Sequence, residues 1–157
     1  MTIPVRPETD RKIDELLTRF PMKGSALLPI LYLLQEEKGH VSPESMEYAA
    51  GKLGVSSAFV AGVVSFYTMF HQKPVGRHHI QVCRTLPCAL RGADALMAHL
   101  KSRLRLQDGE TGTDGRYSLI SVECLGACVR APFIQINETE HGPVDEAAMD
   151  TILKGLE

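Results

Sequence analysis

Lys73-Pro74-Val75-Gly76-Arg77-His78-His79-Ile80-Gln81-Val82-Cys83 is the stretch at which the chain changes character. Pro74 and Gly76 interrupt a series of helical signals, and His79-Ile80-Gln81-Val82 then alternates with the period of a strand. A domain boundary is expected here, with residues 1–75 forming a small helical bundle and residues 76–157 a second domain. That strand runs straight into Cys83, the first of four cysteines.

Upstream of the break, four short helices are expected. Ile13, Leu16, Leu17 and Phe20 recur at helical spacing after Thr9 and Asp10, read as cap and first-turn acid, and Pro21 ends the run. A second helix starts near Ser25, runs to Glu37 and leaves through Gly39, with Pro29 early enough to cost little. Ser42-Pro43-Glu44 sets a capping hydroxyl, a proline at the first helical position and an acid at the positive end of the dipole in succession, and Gly54 stops that helix. Ser56 opens the fourth, whose Phe59, Val60, Val63 and Val64 form an apolar stripe leading into Phe66-Tyr67-Thr68-Met69-Phe70.

Downstream, a helical stretch from Leu90 to Leu104 carries Leu96, Leu100 and Leu104 at four-residue steps. Asp108-Gly109 and Asp114-Gly115 give turns, Tyr117–Val122 and Pro132–Asn137 read as strands, and a last helix covers about Asp145 to Leu156. Strand, helix, strand, strand, helix is the order of a small two-layer α/β domain of thioredoxin type. Strand pairing is not readable from it. The fold class expected is α+β or α/β, a helical bundle followed by that domain, and no repeat or heptad pattern calls for an array.

The 157 residues are 44% hydrophobic, enough for one good core or a domain with a helical attachment. Lys+Arg (17) and Asp+Glu (19) nearly cancel, which argues against a dedicated nucleic-acid binder. The N-terminus lacks a basic segment followed by an apolar one, and the longest apolar run, Ala26–Leu34, is too short to span a bilayer, so no direct membrane insertion is expected. In a reducing compartment, clustered cysteines serve as metal ligands or redox thiols more often than as structural disulfides.

Cys83, Cys88, Cys124 and Cys128 are all the cysteines present, arranged as C-x4-C and C-x3-C. Each pair is expected in a loop at the C-terminal end of a strand, and adjacent strands would bring the two loops to one edge of the sheet. Four thiolates suit a 2Fe-2S cluster, with two cysteines per iron, and also a tetrahedral zinc ion. Structural zinc favours C-x2-C knuckles, so the wider spacings favour the cluster; C-x-x-C, the redox dithiol signature, is absent. Leu125-Gly126-Ala127 is small enough for backbone N–H groups to approach sulfur, while Leu86-Pro87 stiffens the first loop. Arg84, Arg91 and Arg130 lie close in sequence and would favour a reduced, more negative centre. No histidine stands in a ligand spacing with the cysteines, and Gly109, Gly112 and Gly115 do not form a dinucleotide fingerprint.

Val82-Cys83-Arg84-Thr85-Leu86-Pro87-Cys88, then Leu90-Arg91-Gly92, Val122-Glu123-Cys124-Leu125-Gly126-Ala127-Cys128 and Ala131-Pro132 together resemble the E subunit family of bacterial NADH:quinone oxidoreductase, the small 2Fe-2S subunit of respiratory complex I. The resemblance extends over nearly the whole chain, including Phe66-Tyr67-Thr68-Met69-Phe70. It implies a thioredoxin-like 2Fe-2S ferredoxin domain after the helical bundle, and one cluster ligated by Cys83, Cys88, Cys124 and Cys128. It also implies a larger partner subunit carrying FMN and the NADH site, with single-electron exchange between that flavin and the cluster. A cytoplasmic place in the peripheral arm of the complex, at the inner face of the membrane, follows from the same resemblance. Glu138-Thr139-Glu140-His141-Gly142-Pro143 departs from the acidic, tyrosine-containing segment of many relatives and leaves the docking edge open. Small subunits of NAD-linked hydrogenases and formate dehydrogenases share the module, and a free ferredoxin or a zinc-stabilised interaction module are the readings from other classes.

Overall fold

In the computed structural model, which describes residues 5–156, the signals upstream of Pro74 become four helices. They are α1 (Pro7–Arg19), α2 (Leu27–Lys38), α3 (Pro43–Leu53) and α4 (Ser57–Phe66). The chain divides between Pro74 and Val75 into two compact units, one helical and one built on a sheet.

Caps explain most helix ends. The Ser42 and Ser56 hydroxyls accept from the N–H groups of Ser45 and Phe59, and each satisfies a donor that its helix cannot. Gly39 and Gly54 close α2 and α3 in the left-handed region, at φ 77° and 70°, returning their N–H groups to Gln35 and Ala50. Two expectations need correction. α1 begins at Pro7, so Thr9 lies inside its first turn and caps nothing, because proline already supplies the helical φ at the first position. The residues before α2, Lys23–Ala26, form a separate 3-10 turn.

The helical core is apolar, with Ile13, Ile30, Leu31, Val41, Ala49 and Val60 fully buried. The stripe on α4 splits: Val60 and Val64 turn inward, whereas Phe59 and Phe66 are exposed. At the surface Lys52 Nζ sits 2.6 Å from both Asp10 and Asp14, and the Tyr48 hydroxyl donates to Asp10, tying α3 to α1. Burial opposes the Lys52 charge, but the two carboxylates outweigh it and raise its pKa. Burial and the Asp10 carboxylate push Tyr48 up to about 12.

Downstream lie β1 (His78–Cys83), α5 (Leu86–Leu90), α6 (Ala93–Leu104), β2 (Glu110–Thr111), β3 (Tyr117–Val122), β4 (Ile134–Ile136), β5 (Thr139–His141) and α7 (Glu146–Gly155). The sheet order is β2-β3-β1-β4-β5, with β1 and β3 parallel and every other pair antiparallel. Ile80, Val82, Leu119 and Ile134 from the strands pack with Leu96 and Leu100 of α6 and Met149 of α7. The thioredoxin-like architecture expected from the element order is present.

Gly76, half of the break that opens β1, is required by space. A Cβ there would lie 2.4 Å from the Tyr117 carbonyl carbon, so the incoming chain presses directly on the β3 backbone. Its N–H reaches Ser118 Oγ, which also meets His79 Nδ1 at 2.7 Å. The stretch from Leu90 to Leu104 is not one helix: Gly92, at φ 101°, separates α5 from α6, and Leu90 points to solvent. Two short strands escaped the reading. β5 is paired to β4 across a two-residue turn in which Asn137 takes φ 53°, and Asn137 also bonds the backbone of Arg77 and His79. β2 follows the Asp108-Gly109 turn.

Candidate metal centre

Because β1 and β3 are parallel neighbours with Cys83 opposite Val122, their C-terminal ends reach the same sheet edge. Cys83, the last residue of β1, is fixed from one side by its N–H to the Phe133 carbonyl (3.1 Å), while the next N–H, of Arg84, goes to Val122 (3.0 Å). Cys88 sits on α5, a one-turn helix entered at Thr85, and not in an open loop as expected; its N–H bonds the Thr85 carbonyl at 2.9 Å. Pro87 lies in the first turn of α5, where a missing N–H leaves no bond unmade.

The second pair occupies the turn after β3. Gly126 adopts φ 82°, a left-handed conformation that suits glycine, and directs its N–H to Cys124 Sγ at 3.3 Å. Cys128 starts a 3-10 turn through Arg130, and the sulfurs of Cys124 and Cys128 are 3.6 Å apart. All four cysteines are free thiols.

The pairs differ in burial. Cys83 and Cys88 are 2% and 1% exposed and pack with Ala93, Ala131 and Phe133, whereas Cys124 and Cys128 are exposed. Electrostatically each pair holds one acidic and one reluctant thiol. Burial pushes Cys83 up, but hydrogen bonds from Thr85, Leu125 and Cys88 outweigh it and leave it below the ordinary thiol value. Cys88 is pushed up to about 11 by burial, its bond with Cys83, and the neighbouring Cys83 and Cys128. The Gly126 N–H, then Cys128, lowers Cys124, which in turn raises Cys128.

Cys128 adds to the upward push on Cys88, and Thr85 to the downward pull on both Cys83 and Cys124, so charge on one pair is felt at the other. Among the described residues no three His, Cys, Asp or Glu side chains are close enough to grip a single ion. The expected four-sulfur cage is therefore not closed; a two-iron core asks for two thiolates at each metal and a tetrahedral ion for four sulfurs about one point, and the chain offers its four cysteines as two pairs. The donor set therefore fits a 2Fe-2S group, and metal binding would displace the protons held on the raised thiols.

Of the three arginines, Arg84 is engaged with Glu123 at the surface (Nε to Oε1, 3.0 Å). Arg130 donates to the Gly142 carbonyl and lies 5.3 Å over the ring of Phe133, a residue that packs with Cys83 and Cys88. Arg91 lines a cavity of about 360 Å³ with Leu96, Pro132 and Val144. The residue that reading the motif missed is Thr85, whose Oγ1 is 3.2 Å from Cys83 Sγ. A hydroxyl inside C-x4-C was the available signal. Gly142 was missed too: a Cβ there would lie 2.4 Å from Phe133 Cδ2, so glycine lets β5 close over that ring.

Comparison with known proteins adds a family, a set of relatives and a structural likeness. Residues 13–157 match the family described as Thioredoxin-like [2Fe-2S] ferredoxin. The NADH-quinone oxidoreductase E subunit of Rhizobium meliloti, in the form numbered 2, is 41% identical over 145 residues, spanning 92% of this chain and 86% of the relative. The NADH-quinone oxidoreductase E subunit of Rickettsia bellii is 42% identical over 146 residues (91% and 87%), and subunit 2 of the Thermus thermophilus NADH-quinone oxidoreductase is 38% identical over 147 residues (92% and 81%). Among solved structures, the NAD+-reducing [NiFe]-hydrogenase in its H2-reduced state superposes with a TM-score of 0.73 at 23% identity over 83% of this chain. The match spans 22% of the hydrogenase chain, and at that identity it attests the fold alone.

Proposed function

The chain belongs to the thioredoxin-like [2Fe-2S] ferredoxin family and to its NADH-quinone oxidoreductase E-subunit branch, and from that premise we propose that Cys83, Cys88, Cys124 and Cys128 hold one 2Fe-2S cluster. It is an electron-transfer subunit of an oxidoreductase, and the partner it serves is a subunit that carries FMN and binds NADH. The observation that supports the reading most is the position of the two thiol pairs, each at the C-terminal end of one of the neighbouring parallel strands β1 and β3. When bound, such a cluster supplies a one-electron carrier, which a flavin reduced by hydride transfer needs in order to release electrons singly.

The chain's own residues do the rest. β1 and β3 set the pairs at their C-terminal ends, and α5 fixes Cys88 relative to Cys83. The Gly126 N–H and the Thr85 hydroxyl donate toward sulfur and favour the more negative state. Phe133, Ala93 and Ala131 exclude water from the inner pair, while Arg130 keeps a positive charge beside that packing. The exposed outer pair leaves a side open to the flavin partner. The place assigned to it is the peripheral arm at the cytoplasmic face of the membrane; no single helix among the described residues is long and apolar enough to cross a bilayer.

The test is reduction of the chain with and without its flavin partner. Dithionite is expected to produce a paramagnetic signal from the isolated chain, and NADH the same signal only when the partner is present. NADH reducing the isolated chain directly, or leaving it oxidised in the complex, would contradict the assignment.

A further inference from the structure

We propose that the outer pair, Cys124 and Cys128, is a thiol–disulfide site in its own right: when the cluster is lost, a peroxide closes this pair to an intramolecular disulfide while Cys83 and Cys88 stay as thiols. The inference rests on the ligand reading above in taking the cluster-free chain as the reacting form.

Access selects the outer pair, and its geometry allows it to close. Its sulfurs already stand 3.6 Å apart, and a disulfide needs about 2.05 Å, so closure is a movement of roughly 1.5 Å. The residues between them, Leu125-Gly126-Ala127, belong to neither a helix nor a strand, and Gly126 sits where backbone freedom is greatest. Both side chains are exposed, so a dissolved oxidant reaches them without any opening of the fold. The inner pair is the reverse case. Cys83 ends a central strand with its N–H committed to Phe133, its sulfur is bonded by Thr85, and Cys88 packs beside it out of contact with water.

The chemistry closes with hydrogen peroxide as the oxidant. One outer sulfur attacks an oxygen and breaks the O–O bond, becoming a sulfenic acid as the other oxygen leaves in a first water. The second thiol then attacks the sulfenic sulfur, forms the S–S bond and expels the remaining oxygen as a second water. Each sulfur gives up one electron, the peroxide oxygens take both, and the two thiol protons end in water. With two of four ligands bridged, the chain cannot accept iron until a thiol reductant reopens the pair. The site would thereby make cluster insertion depend on prior reduction.

The full-length, cluster-loaded chain is titrated with hydrogen peroxide while its visible absorbance is followed, then denatured and alkylated with iodoacetamide. Trypsin places Cys124 and Cys128 together on the peptide spanning 117–130 and puts Cys83 and Cys88 on two others. As the colour bleaches, peptide 117–130 is expected to lose two hydrogens and escape alkylation, with Cys83 and Cys88 fully alkylated. Dithiothreitol should restore both alkylation of that peptide and iron uptake. A disulfide involving Cys83 or Cys88, or sulfinic acid on the outer pair without an S–S bond, overturns the proposal. Cys128→Ser should abolish the two-hydrogen loss whether or not that variant retains iron. A chain isolated without colour or iron would defeat the cluster reading, and the thiol map would still decide the disulfide.

Discussion

Upstream of Pro74 the chain buries Ile13, Ile30 and Leu31 completely and pairs its ionic groups, Lys52 linking Asp10 and Asp14 at the surface and Glu37 meeting Arg6 and Lys38. Downstream of Val75 an equally apolar core of Ile80, Leu119 and Ile134 is accompanied by a second, smaller cluster whose packed side chains include Cys83 and Cys88. The two units use the same apolar burial to hold their shape, yet only one converts part of that burial into a place for chemistry. Exposed apolar side chains follow the same division: in the sheet unit Leu86, Leu90 and Val129 all lie next to the cysteines, whereas in the helical unit Phe59 and Phe66 stand on α4. Stability and metal content should therefore respond to different substitutions.

Cys88→Ala offers the largest test of that separation. It is expected to remove the iron and the visible absorbance while the helical unit keeps its hydrogen-exchange protection; full iron content would show that Cys88 is not a ligand. Ile30→Ala should act in the opposite sense, costing about 2–5 kcal/mol because a cavity opens in a closed core. Below its lowered melting temperature that variant should still carry a full complement of iron, and a proportional loss of iron would mean that the units are not separate.

Gly142→Ala sharpens the comparison inside the sheet unit. The added Cβ meets the Phe133 ring and the Arg130 carbonyl, so roughly 1–3 kcal/mol of destabilisation is expected from overpacking. Iron retention at moderate temperature should fall with it, because Phe133 packs on the inner pair. Unchanged melting and iron content would show that β5 yields freely.

The smallest effect is a pH dependence confined to the helical unit. Asp10 is held below the ordinary carboxylate value by its bonds with Lys52 and Tyr48. A depressed folded pKa means that the stabilisation is complete above the unfolded value, about 4, and is lost as pH falls through the folded value. Asp10→Asn should flatten the acid limb of the helical unit's melting temperature without altering that of the sheet unit. An acid limb identical to wild type would show that the Asp10–Lys52–Tyr48 contact carries no stability.

What could be read from residues alone follows the physics of local signals. Ser42-Pro43-Glu44, Ser56 and the glycines at 39 and 54 mark helix ends because capping acts within a few residues, and Tyr117–Val122 shows itself by its run of strand-favouring residues. That each cysteine pair begins at the C-terminal end of a strand was also legible, because strand-favouring residues run directly up to Cys83 and to Cys124. Thr9 misled because Pro7 begins the helix earlier, and the join at Gly92 was hidden because helix-favouring residues stand on both sides of it while the leucine ladder starts only at Leu96. β2 and β5 were invisible because strands of two and three residues carry too little pattern and owe their place to turns and neighbours. The role of Thr85 depends on the orientation of its hydroxyl toward the Cys83 sulfur, which no spacing encodes.

The central claim is tested most directly by iron and acid-labile sulfide analysis of the chain purified without oxygen. Two irons and two sulfides per chain, absent in Cys88→Ala, are the expected result. One zinc ion per chain with no sulfide would contradict it.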